Sequence, residues 1–313
     1  MWRPTASVID LKKRAQIMRK IRRFFIDKGY FEVETPLMAS HGVTDVYLNN
    51  FSVETPEGIA YLQTSPEFHM KRLLAADSGP IFQLAKVFRD DEKGRLHNRE
   101  FSLLEWYRPG FDHHALMQEV DDLLQFILET GPALKLTYQQ AFLTATNLDP
   151  FAHSAEQLNQ VLCHHGLEQV LSDEEYDSNA PYYLLMSHVV EPYFANSLAP
   201  VFIYDFPKSQ AALAQCREEV ASRFEVYFKG KELANGFHEL TEPHEQRQRF
   251  EADNHLREQL NLPTQAIDDY FIAALQSGLP DCAGVALGVD RLCMIALEKN
   301  SISQVLSFDA HNA

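Results

Sequence analysis

Two runs with strong strand character, Ile81–Arg89 and Phe101–Tyr107, flank an almost wholly polar loop, Asp90–Glu100. Side chains alternate along a strand, so Phe101, Leu103, Glu105 and Tyr107 share one face, and Ser102, Leu104 and Trp106 share the other. A carboxylate between a phenyl and a phenol is an odd core. It is a natural lining for a pocket that takes a cation, and the plain alternative is an exposed sheet face with a solvated Glu.

A second acidic segment lies at Phe224–Leu233, which reads as a tight hairpin turning at Lys229-Gly230. Regular pairing then sets Tyr227 opposite Glu232 and makes Glu225 the diagonal neighbour of Glu232 on the same face. Two carboxylates held so close repel unless a cation sits between them, and Mg²⁺ carrying nucleotide phosphates suits an all-oxygen site. The alternative is a pair of solvated rim carboxylates. Asn235, Gly236 and Glu239 follow directly. Near the end, Gly284–Arg291 reads as a small-residue strand turning at Gly288 into a helix whose first turn carries Arg291, an arrangement that suits phosphate.

The remaining chain supplies the frame. Ser7-x-x-Asp10 opens a helix that Gly29 closes, with Leu11, Ile17, Met18, Ile21, Phe24 and Phe25 on its buried face. Its other faces carry Lys12, Lys13, Arg14, Arg19, Lys20, Arg22, Arg23 and Lys28, a candidate docking surface for an acidic partner. A short strand is expected at Tyr30–Val33, a hairpin at Val46–Thr55 and Ile59–Gln63, and a helix from Pro66. Helical patterns dominate from about 112 to 195, with breaks near Gly131-Pro132 and Asp149-Pro150. Strands return at Val201–Phe206 and Phe224–Phe228, and helices at about 243–260 and 265–277. The expectation is one mixed α+β domain over 1–313 with a mostly helical insertion at about 112–195.

Several function classes drop out. The 313 residues carry 28 Lys+Arg against 44 Asp+Glu, a formal charge of −16, which argues against nucleic acid as the main partner. No apolar run approaches the ~20 residues of a membrane span, and the first residues lack the apolar core of a secretory signal. Cys163, Cys216, Cys282 and Cys293 have neither zinc-site nor disulfide-framework spacing, as suits reduced thiols in a cytoplasmic protein. Neither G-x-x-x-x-G-K-[ST] nor G-x-G-x-x-G is present, so any nucleotide is held outside those two solutions.

Taken together, the segments carry a resemblance. Arg89 with Phe101 beyond a charged loop, and Gly288-Val289-Asp290-Arg291, resemble motifs two and three of the class II aminoacyl-tRNA synthetases, and Phe24–Pro36 resembles motif one. Within that family the lysyl-tRNA synthetase catalytic domain is most similar, through Pro66-Glu67, His97-Asn98, Phe101, Glu105-x-Tyr107, Arg223-Phe224-Glu225, Glu232, Asn235-Gly236-Phe237-x-Glu239. The lysyl enzymes' anticodon-binding OB-fold has no counterpart here. A bare acidic core of this kind is similar to the stand-alone paralogues that attach (R)-β-lysine to translation elongation factor P.

The resemblance implies a six-stranded antiparallel sheet flanked by helices, no anticodon-binding domain, and a homodimer with Pro36 at its interface. It implies use of ATP and Mg²⁺, with elongation factor P as protein substrate and tRNA excluded. It also implies roles. Arg89 and Arg291 would be catalytic, Arg89 bridging the substrate carboxylate and α-phosphate and Arg291 holding terminal phosphates. Asp91, His97, Asn98, Phe101, Glu232, Leu233 and Gly288 would complete the ATP site, with Phe101 under adenine. Glu225 and Glu232 would hold Mg²⁺. Ser65, Glu67, Glu105, Tyr107, Asn235, Glu239 and Ala286 would bind the amino acid. There are departures: Arg89-Asp90-Asp91-Glu92 stands where the family has Arg-x-Glu, Ser65 stands for Ala, and Ala286 stands for Gly. The last two border the expected amino acid pocket, where Ser65 would address a displaced amine and Ala286 would penalise L-lysine. The competing readings are a truncated lysyl-tRNA synthetase and another tRNA-free class II amino acid ligase.

Overall fold

Ser7 accepts a hydrogen bond from the Asp10 backbone N–H at 3.1 Å and starts α1 (Val8–Asp27), whose buried stripe is Ile17, Ile21 and Phe25. The structure is a computed structural model that describes residues 2–90, 94–168, 170 and 178–313. After α1 the chain turns at Gly29 (φ +79°) into β1 (Phe31–Glu32). A small sheet follows, made of β2 (Met38–Ala39), β3 (Ser52–Thr55) and β4 (Gly58–Leu62) in the order β2-β4-β3. The expected first arm from Val46 is shorter than predicted. Asp45 accepts from the Tyr47 and Leu48 N–H groups and folds that stretch into a turn before pairing begins.

Next come α2 (Glu67–Ala75), β5 (Ile81–Phe88), β6 (Glu100–Pro109) and α3 (His113–Leu128). The stretch expected to be helical instead contains β7 (Leu134–Thr137), then α4 (Tyr138–Thr146), α5 (Ala155–His164) and α6 (Ala180–Leu185). A π-helical turn at Met186–Val190 joins α6 to α7 (Glu191–Phe194). Four residues carry too little periodicity to declare a strand. β7 exists because the edge of β8 (Val201–Pro207) offers it a parallel partner. The chain ends with β9 (Cys216–Arg217), β10 (Val220–Phe228), β11 (Lys231–His238), α8 (Pro243–Gln259), α9 (Asp269–Gly278), β12 (Cys282–Gly288) and α10 (Val289–Ala296).

The main sheet runs β1-β5-β6-β12-β11-β10-β8-β7, with β9 beside β10. Its centre, β5 through β8, is six antiparallel strands, as the resemblance implies; β1 and β7 add parallel edges. One face is a core in which Leu104, Trp106, Phe224 and Val226 meet Phe25 of α1 and Leu116, Val120 and Leu124 of α3. Motif three is tied into that core, since Asp290 accepts from the Ser102 N–H at 2.7 Å and pairs with Arg14 at 2.5 Å. The helical stretch has its own cluster, including Tyr138, Phe142, Leu185, Val190, Ile203 and Tyr227.

Candidate active site

On the other face of the sheet, one transverse row crosses five strands: Glu225, Asn235, Ala286, Glu105 and Gln83 are successive register partners. At about 4.8 Å per strand, Glu225 and Glu105 mark two ends of a groove roughly 14 Å apart. A bulge makes this row possible. Tyr227 pairs with Glu232 as expected, but Val226 pairs with Ala234 and Glu225 with Asn235, so Leu233 is an extra residue. Without it, Glu232 and Asn235 would point to opposite faces; with it, both reach the groove. The hairpin itself turns through positive φ at Lys229 (+50°) and Gly230 (+65°), as a two-residue turn requires.

The Glu105 end is buried and densely cross-linked. Ser65 Oγ accepts from the Glu67 N–H at 3.1 Å and donates to Glu105 Oε2 at 2.7 Å, while the Tyr107 hydroxyl donates to Glu105 Oε1 at 2.7 Å. The Ser65 hydroxyl is therefore committed to Glu105, a different role from the expected contact with a displaced amine. Lys71 lies one turn beyond Glu67 on α2 and is fully buried; its Nζ is 2.6 Å from Glu67 Oε1 and 2.6 Å from Glu239 Oε2. Gly284 permits this packing, because a Cβ there would lie 2.1 Å from the Tyr107 ring and 2.6 Å from Glu239 Oε1.

Three carboxylates, Glu67, Glu105 and Glu239, thus face one ammonium, Lys71, leaving −2 when all are ionised. Burial first, then the Glu67 charge, pushes the Glu105 carboxyl up to about 8. Burial also pushes Glu239 up to about 8, with Lys71 opposing and Glu67 and Glu105 adding to it. For Lys71, burial disfavours the cation but Glu239 and Glu67 outweigh it, and its pKa is raised.

The Glu232 end is more open. Glu225 accepts hydrogen bonds from Arg223 and from the Tyr227 hydroxyl. Arg291 donates to the Glu232 carbonyl at 2.9 Å, lies 3.6 Å from Glu232 Oε2, and meets His97 Nε2 at 2.7 Å. The Arg89 guanidinium lies 5.1 Å from the centre of the Phe101 ring. The Glu232 side chain keeps 42% exposure, yet partial dehydration and the Glu225 charge raise its carboxyl, with Arg291, Arg89 and Arg223 opposing. A third carboxylate joins them from the helical stretch: Glu191 is pushed up to about 8 by burial and then by Glu232 and Glu225. Glu225 and Glu232 offer only oxygen donors, the chemistry a hard divalent cation takes, although among the described residues no three His, Cys, Asp or Glu side chains are grouped to hold a metal by themselves.

With this geometry in view, comparison with known proteins is decisive. Residues 3–312 match the model of the class II tRNA synthetases (D, K and N). A Vibrio cholerae protein named elongation factor P–(R)-β-lysine ligase is 52% identical over 98% of this chain and 97% of its own length. The proteins of that name from Photorhabdus laumondii and Haemophilus influenzae are 51% and 50% identical, each over 100% of this chain and 98% of their own. The chain belongs to this ligase family.

The groove gathers most of the residues singled out in the sequence. Ser65, Glu67, Glu105, Tyr107 and Glu239 form one end; Arg89, His97, Phe101, Glu225, Glu232 and Arg291 form the other; Asn235 and Ala286 lie between. Asn235 Oδ1 accepts from Arg223 Nε at 3.3 Å. Gly288 and Leu233 adjoin, since a Cβ on Gly288 would lie 3.8 Å from the Leu233 carbonyl; the Leu233 side chain itself is in the core, which leaves only its backbone for a ligand. Asn98 is directed elsewhere: its carboxamide donates to Glu100 O at 2.6 Å and accepts from Ala310 N–H at 3.0 Å, tying down the C-terminal tail. Asp91 and Glu92 lie outside the described residues. Sequence reasoning missed Lys71, for which the Glu67–Lys71 spacing was the available signal, and Glu191, for which there was none.

Proposed function

We propose that this chain activates (R)-β-lysine with ATP and transfers it to a lysine ε-amine of elongation factor P. The observation that carries the reading is the convergence of three buried or half-buried carboxyl groups, Glu67, Glu105 and Glu239, on a single ammonium, Lys71, which leaves acceptors for two further ammonium groups that a monoamine could not fill. In the first step a carboxylate oxygen attacks the ATP α-phosphorus and pyrophosphate leaves, giving the aminoacyl-adenylate. In the second, the acceptor amine attacks the carbonyl carbon, AMP leaves, and the amine loses a proton.

Arg89 would bridge the carboxylate and the α-phosphate, where negative charge grows in the transition state, and Phe101 would offer a stacking face for adenine; their contact with each other supports a shared site. Arg291, which meets His97 Nε2 at 2.7 Å, would hold terminal phosphates. Glu225 and Glu232 would hold Mg²⁺, which when bound neutralises the triphosphate. Glu105, Tyr107 and Glu239 take the side-chain ammonium, Glu67 the other amine, and Asn235 the carboxylate. No side chain acts as a nucleophile; the protein positions and stabilises.

Arg14 and Arg22 of α1 and Lys28 just beyond it serve the fold, pairing with Asp290, Glu32 and Asp122, while Arg23 pairs with Asp27 on the exposed face of the helix. Lys12, Lys13, Arg19 and Lys20 are the exposed remainder available to an acidic acceptor. A homodimer across the Pro36 region is supported by exposed Ile26, Phe31, Leu37 and Met38. Among the described residues no helix is long and apolar enough to cross a membrane. Incubation with Mg·ATP, (R)-β-lysine and elongation factor P, followed by intact mass, tests the reading: the acceptor should gain one β-lysyl group. Charging of tRNA in place of the factor, or no gain at all, overturns it.

A further inference from the structure

Lys71 is assigned no part in the steps above, yet it is the most completely buried cation of the groove, 0% exposed and in contact with two of the three carboxylates that take the substrate's amines. We propose that Lys71 is a positioning residue for the amino acid: a built-in ammonium that holds Glu67 and Glu239 in line, and whose single charge sets how many ammonium groups the pocket accepts. The proposal rests on the reading that this pocket takes the diamino acid.

The surroundings leave Lys71 no other task. On its own helix it meets Glu67, four residues back, at 2.6 Å; beyond β11 it meets Glu239 at 2.6 Å. From α9 it faces the Phe271 ring, 5.8 Å to the centroid, an apolar wall that offers no hydrogen bond. Glu105 and Tyr107 of β6 and the Cys282 thiol of β12 complete the titratable groups around it, and burial raises both Tyr107 and Cys282, so neither supplies a charge near neutral pH. An ion pair this dry adds little to fold stability on its own, because dehydrating three charges offsets their attraction. Its geometry instead joins α2 to the end of β11. One cation thereby fixes the distance between the carboxylate for the near amine and the carboxylate for the far ammonium, which is the distance that a diamino acid must match. Without Lys71 the three carboxyls would face one another with no cation between them, and they would hold protons more tightly in place of substrate ammonium groups.

The test uses the full chain carrying Lys71→Met, Lys71→Gln or Lys71→Arg. Amino acid-dependent ATP–pyrophosphate exchange is measured with (R)-β-lysine from pH 6.5 to 9.5, alongside binding of Mg·ATP alone. Met and Gln should raise the KM for (R)-β-lysine by roughly 100-fold at neutral pH. They should also move the rising limb of kcat/KM to higher pH by about one unit and leave Mg·ATP binding within about twofold. Arg keeps the charge and should leave the limb in place, and it keeps the question answerable if the neutral variants do not fold. A limb at the wild-type pH in Met or Gln, or one displaced in Arg, overturns the proposal even where KM changes, because a merely structural lysine would lower activity without moving the titration. Absence of exchange in the wild type with (R)-β-lysine would instead count against the reading of the pocket.

Discussion

At the Glu105 end of the groove every carboxylate has a partner from its own chain: Ser65 and Tyr107 for Glu105, and Lys71 for Glu67 and Glu239. At the Glu232 end, Glu225 is satisfied by Arg223 and Tyr227, but Glu232 is half open and Glu191 adds a further carboxyl that burial and its acidic neighbours push up to about 8. The first end is cross-linked by its own side chains, as would suit a pocket that measures the distance between two amines. The second is left electrostatically incomplete, as suits a ligand that brings its own cation. On the proposed reading, preorganisation is concentrated where selectivity would be needed, and incomplete charge compensation where Mg·ATP would complete it.

The contrast can be broken most sharply at the open end. Glu225→Gln and Glu232→Gln should each lower amino acid-dependent pyrophosphate exchange by roughly a hundred- to a thousand-fold, the usual cost of one electrostatic group at a reacting centre. Far-ultraviolet circular dichroism should be unchanged. Near-normal exchange in both variants would show that Mg²⁺ is held elsewhere.

A pH titration sharpens the closed end. Glu105 and Glu239 stand at about 8, so below that pH one or both are protonated and cannot pair with substrate ammonium groups. The kcat/KM for (R)-β-lysine should therefore rise with pH up to about 8, by roughly tenfold per unit on the acidic side. A profile flat from pH 6 to 8 would mean that these carboxyls are already ionised in the empty pocket.

The smallest effect concerns the residue between the two ends. Ala286 pairs with Asn235 on one side and Glu105 on the other, so its methyl lies between the carboxylate and ammonium contacts. Ala286→Gly should shift the ratio of kcat/KM for (R)-β-lysine over L-lysine toward L-lysine by about tenfold, the scale of one methyl in a pocket. An unchanged ratio would leave discrimination to Glu67 and the Ser65 turn.

Much of this was legible in local pattern. Ser7-x-x-Asp10 announced α1, Lys229-Gly230 announced the hairpin turn, and the alternation in Phe101–Tyr107 put Glu105 and Tyr107 on one face. The bulge at Leu233 was not legible, because a hairpin's register beyond its turn depends on what the second strand pairs with on its other side, here β12. Nor was β7, whose partner β8 lies far along the chain. Asn98 illustrates the converse: its motif was visible, but the C-terminal tail that claims its carboxamide was not.

The sequence by itself determined which chemical groups the groove contains, since carboxylates, arginines and small residues at alternating positions can only line a polar face, and their order along the chain carries the family. Tertiary structure decided which of those charges compensate one another. Lys71 and Glu239 are far apart in sequence and 2.6 Å apart in space, and Glu191 reaches Glu232 from a helical stretch that gives no sign of belonging to the site. Charge compensation depends on distance and on the exclusion of water, and both are fixed only when the strands have paired and the helices have closed over them.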